Sequence, residues 1–169
     1  MRRAKFEVGS GVRSAECDVT IDRDLESRVR EAIDQASNGA AAMEQAVGML
    51  KEGVPAYSWV GIYLLDGEEL VLGPFLGKPS PHTRIPLGQG ICGAAATSAQ
   101  TIIVDDVNAD PRYLACSIET RAEIVVPIIH EGRVLGEIDI DSDTPAAFGP
   151  ADRDLLESVA NQLAKRLTE

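Results

Sequence analysis

The chain of 169 residues is short of positive charge, aromatic rings, histidine and cysteine. Sixteen Lys and Arg stand against 27 Asp and Glu, leaving a formal net charge of -11. That acidic excess excludes nucleic acid as a partner, because a phosphate backbone needs clustered cations. It argues equally against a membrane surface, since anionic lipid would repel the chain. Runs of apolar residues long enough to span a bilayer are missing. A secretory leader is missing too, because Met1-Arg2-Arg3-Ala4-Lys5 meets Glu7, Gly9 and Gly11 without an intervening apolar stretch. Three cysteines are an odd number, too few and unpaired for a disulfide framework, and imply reduced thiols in a cytoplasmic setting.

What is present suits one globular domain: 44% of residues are hydrophobic and 25% charged. Residues 1–22 are polar and irregular and read as an N-terminal arm with at most one short strand, leaving 23–169 as the domain. Leu25, Val29, Ala32, Ile33 and Ala36 recur at helical spacing, and after Ser37-Asn38-Gly39 so do Met43, Ala46, Val47 and Leu50. Two β-rich runs, 57–65 and 70–73, flank the hairpin signal Asp66-Gly67. A Pro/Gly-rich passage then leads to a glycine-opened helix over 91–97 and a strand over 101–104. Residues 105–121 have no period and read as a long functional loop or lid. Strands over 123–129 and 133–141 precede a closing helix from Pro150 to Leu167. The order predicts an α+β fold, an antiparallel β-sheet covered by helices.

Side-chain alternation gives the last two strands a chemical face. Val134, Gly136, Ile138 and Ile140 share the core side, so Glu137, Asp139 and Asp141 share the other. In the preceding strand Ile124, Val126 and Ile128 are on the core side and Glu123 is opposite. A two-residue turn, Glu131-Gly132, would pair odd with even positions and put Glu123 among the isoleucines. A three-residue loop, His130-Glu131-Gly132, pairs even with even and is the register expected. It sets Glu123 beside Asp139, with Asp141 two residues along. Three such carboxyls suit a solvated outer face, a pocket for an ammonium or similar donor, or a metal, although a metal-ligand spacing is not evident. Trp59 and Tyr63 share parity around Gly61 and could wall a pocket or pack beneath a helix.

Cys92 falls just inside a glycine-led helix, where the dipole and free N–H groups would favour a thiolate; taken alone, it fits a small core residue better. Cys116 lies in the long loop, and Cys17 in the arm reads as incidental.

Several segments together carry a family likeness: Ser58-Trp59-Val60-Gly61-Ile62-Tyr63-Leu64, Leu72-Gly73-Pro74-Phe75-Leu76-Gly77-Lys78-Pro79, Arg84-Ile85-Pro86-Leu87-Gly88-Gln89-Gly90-Ile91-Cys92-Gly93, Leu114-Ala115-Cys116, Arg121-Ala122-Glu123-Ile124-Val125-Val126-Pro127 and Gly136-Glu137-Ile138-Asp139-Ile140-Asp141-Ser142. In order and spacing these resemble the free methionine-(R)-sulfoxide reductases of the GAF superfamily, from about Asp24 to the C-terminus. The resemblance implies a GAF-like fold with about six antiparallel strands, and a pocket enclosing free methionine sulfoxide. It also implies a homodimer, thioredoxin as reductant and no cofactor. By motif position it makes Cys116 the catalytic thiol, Cys92 a second redox-active thiol, and Glu123, Asp139 and Asp141 the active-site carboxylates. Trp59 and Tyr63 match the aromatic wall, with His82 as a further substrate-binding candidate. One departure stands out: the family's third cysteine, its usual resolving thiol before Arg-Ile-Pro, is replaced by a stretch one residue longer that contains His82. The rival class on the same scaffold is a sensor module that binds a small ligand or reports thiol oxidation without turnover.

Overall fold

The structure, a computed structural model, describes residues 23–115 and 117–169. The arm expected over residues 1–22, with Cys17, and the candidate thiol of Cys116 lie outside the described residues.

Helix α1 (Arg23–Gln35) buries Leu25, Val29 and Ile33, one residue per turn. After a bend, Asn38 opens α2 (Gly39–Gly53), its side-chain oxygen accepting the Ala41 N–H at 2.9 Å. Strands β1 (Trp59–Asp66) and β2 (Glu69–Leu76) form a hairpin whose Gly67 takes a positive φ of 63°. Strand β2 runs three residues past the stretch 70–73 expected from pattern. A register shift between Gly61 and Tyr63 lets the pairing continue past Pro74, which has no N–H to give the ladder. The Pro/Gly-rich passage hides a three-residue edge strand, β3 (Arg84–Pro86), too short to show alternation. Helix α3 (Gly90–Ser98) and strand β4 (Ile102–Val104) follow, then a single 3₁₀ turn, Val107–Ala109. Strands β5 (Ala122–His130) and β6 (Arg133–Ser142) and helix α4 (Pro150–Arg166) complete the chain.

The six strands form one sheet in the order β3-β2-β1-β6-β5-β4, with antiparallel neighbours throughout. Helices α1, α2 and α4 cover the face that carries Val60, Ile62, Ile124, Val126, Ile138 and Ile140. A second, smaller core lies on the opposite face, where α3 and the 105–121 connection meet Trp59, Tyr63, Val104 and Val125. Helix α4 is tied to the entrance of β1 by Asp152, which accepts the Tyr57 hydroxyl and the Gly149 N–H, each at 2.8 Å.

The β5–β6 register corrects the expected turn. The loop is the two-residue one, with Glu131 and Gly132 both at positive φ, and a bulge between Ile128 and Ile129 restores even-with-even pairing. Glu123 consequently faces Asp141 rather than Asp139, and Asp139 faces Val125. The bulge also exchanges the faces at the strand's start. Val134 packs with the second core and Leu135 with the first, the reverse of simple alternation.

Candidate active site

Strand β6 is central, so its odd-numbered side chains are flanked on both sides. Asp141, Asp139 and Glu137 lie opposite Trp59, Gly61 and Tyr63 of β1, while Glu123 of β5 faces Asp141. All four acids are buried: Glu123 is 5% exposed, Glu137 0%, Asp139 3% and Asp141 4%. A solvated outer face is thereby excluded. The floor exists because Gly61 has no side chain, and the Trp59 ring lies over the space that a Cβ there would occupy. Trp59 stacks on Phe75 with ring centres 5.7 Å apart, and its Nε1 donates to the Lys78 carbonyl at 3.0 Å. Tyr63, with ring centre 6.5 Å from that of Trp59, donates its hydroxyl to the His82 carbonyl at 2.8 Å.

Helix α3 delivers Cys92 to the acids. Its buried thiol donates to Glu123 Oε1 at 3.8 Å, and Cys92, Glu123 and Asp139 place one ligand-type atom each within 4.8 Å of one another. Burial, followed by the charges of Asp139, Glu137 and Glu123, pushes the thiol well above its ordinary pKa. The helix-start argument for a thiolate is thus overridden: desolvation and three carboxyls outweigh a partial dipole charge. Loss of hydration also raises every carboxyl. Asp139 moves from 3.8 to about 7 chiefly by burial. Glu123, Glu137 and Asp141 are raised well above the usual carboxylate range by burial first, and then by the charge of Asp139. Among the described residues, no Lys, Arg or His forms an ion pair with any of the four. Both Glu137 oxygens and Oδ1 of Asp139 are sealed from solvent and, among the described residues, have no hydrogen-bond partner.

Two segments meet beside Asp141. The 78–82 stretch reaches Glu119 through an ion pair from Lys78, and Ala115 through His82 Nε2, 3.2 Å from the Ala115 carbonyl. Beneath them a cavity of about 60 Å³ is lined by Trp59, Lys78, Ser117, Thr120 and Asp141, among others. The described contacts of His82 are with the lid backbone, the Ser80 hydroxyl and Tyr63, and not with the acids. Glu137 is the acid that pattern reading left out of the site. Its odd parity in β6 was the available signal.

A family model described as GAF domain matches residues 26–167. This chain is a GAF domain. The GAF domain is 35% identical to a free methionine-R-sulfoxide reductase from Escherichia coli (strain K12), over 75% of this chain and 76% of that protein. It is 44% identical to the Saccharomyces cerevisiae protein of the same name, over 64% of this chain and 62% of the other. Among solved structures it matches free methionine-R-sulfoxide reductase from Neisseria meningitidis in complex with its substrate. That match has a TM-score of 0.84 and 37% identity, covering 92% of this chain and 93% of that one. Among the described residues of the GAF domain, no helix is long and apolar enough to cross a membrane.

Proposed function

We propose that this GAF domain reduces free L-methionine (R)-S-oxide to methionine by thiol chemistry over the buried acids. The observation that carries the reading is a cluster of four buried carboxyls that, among the described residues, forms no ion pair, beside a cavity lined by Trp59 and Asp141. A free amino acid brings the missing cation: its ammonium offers three N–H donors to oxygens that otherwise have none. The apolar rings suit the thioether arm and S-methyl group of the same molecule. The likeness to reductases, one of them with its substrate bound, points the same way.

In the proposed step a Cys116 thiolate attacks the sulfoxide sulfur, forming a sulfur–sulfur bond, while a neutral carboxylic acid of the cluster gives its proton to the sulfoxide oxygen. The hydroxyl group then passes to the Cys116 sulfur as the sulfur–sulfur bond breaks, and the electron pair of that bond leaves with methionine. The sulfoxide is reduced by two electrons and Cys116 is oxidised to a sulfenic acid. Asp139, with a pKa near neutrality, fits the acid's role, since it can hold a proton and still release it near pH 7. Cys92, held protonated by its surroundings, fits the second role better than the first. Its thiol condenses with the sulfenic acid, releasing water and leaving a disulfide for thioredoxin or another dithiol to reduce.

The test follows loss of the free R sulfoxide with thioredoxin or dithiothreitol, for the parent chain and for Cys116→Ser and Cys92→Ser. Turnover by the parent and none by Cys116→Ser is expected. Full turnover by Cys116→Ser refutes the attacking role, and binding without turnover by the parent identifies a sensor.

A further inference from the structure

Some of the donor atoms in the hollow have more capacity than hydrogen bonding uses. Glu137 is fully buried and neither of its oxygens has a partner among the described residues, and Oδ1 of Asp139 shares that condition. A buried acceptor left unmet has lost its hydration with nothing in exchange, so a bound cation would relieve it. The neighbouring atoms form a mixed sulfur and oxygen set. Cys92 Sγ, a Glu123 oxygen and an Asp139 oxygen fall within 4.8 Å of one another, with Sγ to Glu123 Oε1 at 3.8 Å. In a tetrahedral zinc centre with bonds near 2.3 Å to sulfur and 2.1 Å to oxygen, sulfur and oxygen ligands stand roughly 3.6 Å apart. The triad therefore needs to contract by up to about 1.2 Å between sulfur and oxygen, and by up to about 1.4 Å between the two oxygens. Glu137, two residues before Asp139 on the same face of β6 and buried beside it, is the nearest further carboxyl to this triad along the strand.

We propose that the reduced hollow binds one thiophilic divalent cation of the zinc class, held by Cys92, Glu123 and Asp139 with Glu137 as the additional donor. A sulfur ligand selects against magnesium and calcium, which prefer all-oxygen shells. On binding, the cation replaces the Cys92 thiol proton, which passes to solvent, and nothing is oxidised or reduced. The ion and a substrate ammonium need the same negative space, so the cation is a reversible competitor of the amino acid. A Cys92 tied up in a disulfide has no thiolate to offer. Only the reduced protein binds.

Cobalt(II) is the probe, added to the reduced, chelator-stripped full chain without any substrate. A thiolate-to-cobalt absorption band saturating at one equivalent is expected, and zinc should displace it. Cys92→Ser should lose the band, while Cys116→Ser and Cys17→Ser should keep it. Glu137→Gln should weaken binding roughly 10- to 100-fold, with thermal melting no lower than the parent's to show that the variant folds. A band that persists in Cys92→Ser, no saturable band in the parent, or unchanged affinity in a folded Glu137→Gln overturns the assignment. Reductase activity is measured separately in chelator, so the failure of either reading is visible without the other.

Discussion

Replacing Asp139 by Asn should make the metal-free protein more stable at pH 8 and leave it almost unchanged at pH 4. Asp139 titrates at about 7 when folded, against 3.8 as the ordinary value. A carboxyl raised in this way binds its proton more tightly in the folded state. It costs nothing below pH 4, and stability falls as pH rises from about 4 through 7, then levels off. At about 1.4 kcal/mol per pH unit, the full loss above pH 7 is about 4 kcal/mol. The neutral amide removes this term, and the partnerless Oδ1 it leaves buried is partnerless in the protonated acid as well, so that cost cancels between the two proteins. The net gain at pH 8 is about 4 kcal/mol. For a domain of this size each kcal/mol moves the melting temperature by about 2–4 °C. The assay is thermal unfolding of parent and Asp139→Asn in chelator and reductant at pH 4 and pH 8. A gain of several degrees at pH 8 that vanishes at pH 4 is expected. An equal gain at both values, or none at pH 8, refutes the claim that this acid is held at a cost to the fold. Reductase turnover should drop in the same variant, because the acid that strains the fold is the proposed proton source.

Other consequences can be checked singly. Gly61→Ala would drive a methyl group into the Trp59 ring; destabilisation of about 1–3 kcal/mol and weakened substrate binding are expected, read by denaturant melts and titration. Tyr57→Phe removes the donor to buried Asp152 and should cost about 1–3 kcal/mol in unfolding experiments with little change in turnover. Cys92 should react with iodoacetamide much more slowly than an exposed thiol at pH 7.5, because burial and its acidic neighbours hold its proton. Mass spectrometry of the labelled sites over time decides that point.

Parity carried much of the site. Alternation in β5 and β6 was enough to bring Glu123, Asp139 and Asp141 to one face, and the pattern of Trp59, Gly61 and Tyr63 was enough to leave space among the rings. The helices α1, α2 and α4 were legible for the same reason, since each presents its apolar residues to one large core. Register was harder. Two local devices, a left-handed pair at Glu131-Gly132 and a bulge at Ile128, act together, and neither leaves a mark on the hydrophobic pattern far from the turn. Strand β3 escaped because three edge residues between prolines and glycines show no period. The state of Cys92 escaped because a helix start read in isolation favours a thiolate, whereas the carboxyls that reverse it come from strands 31 to 47 residues away in sequence.

If the buried acids receive the ammonium of a free amino acid, free methionine (R)-sulfoxide and its N-acetyl derivative should be consumed at very different rates by the reduced chain in dithiothreitol and chelator. Rapid loss of the free sulfoxide and almost none of the acetylated one, whose nitrogen carries no charge, is expected. Equal consumption of the two would show that the acids do not read the ammonium.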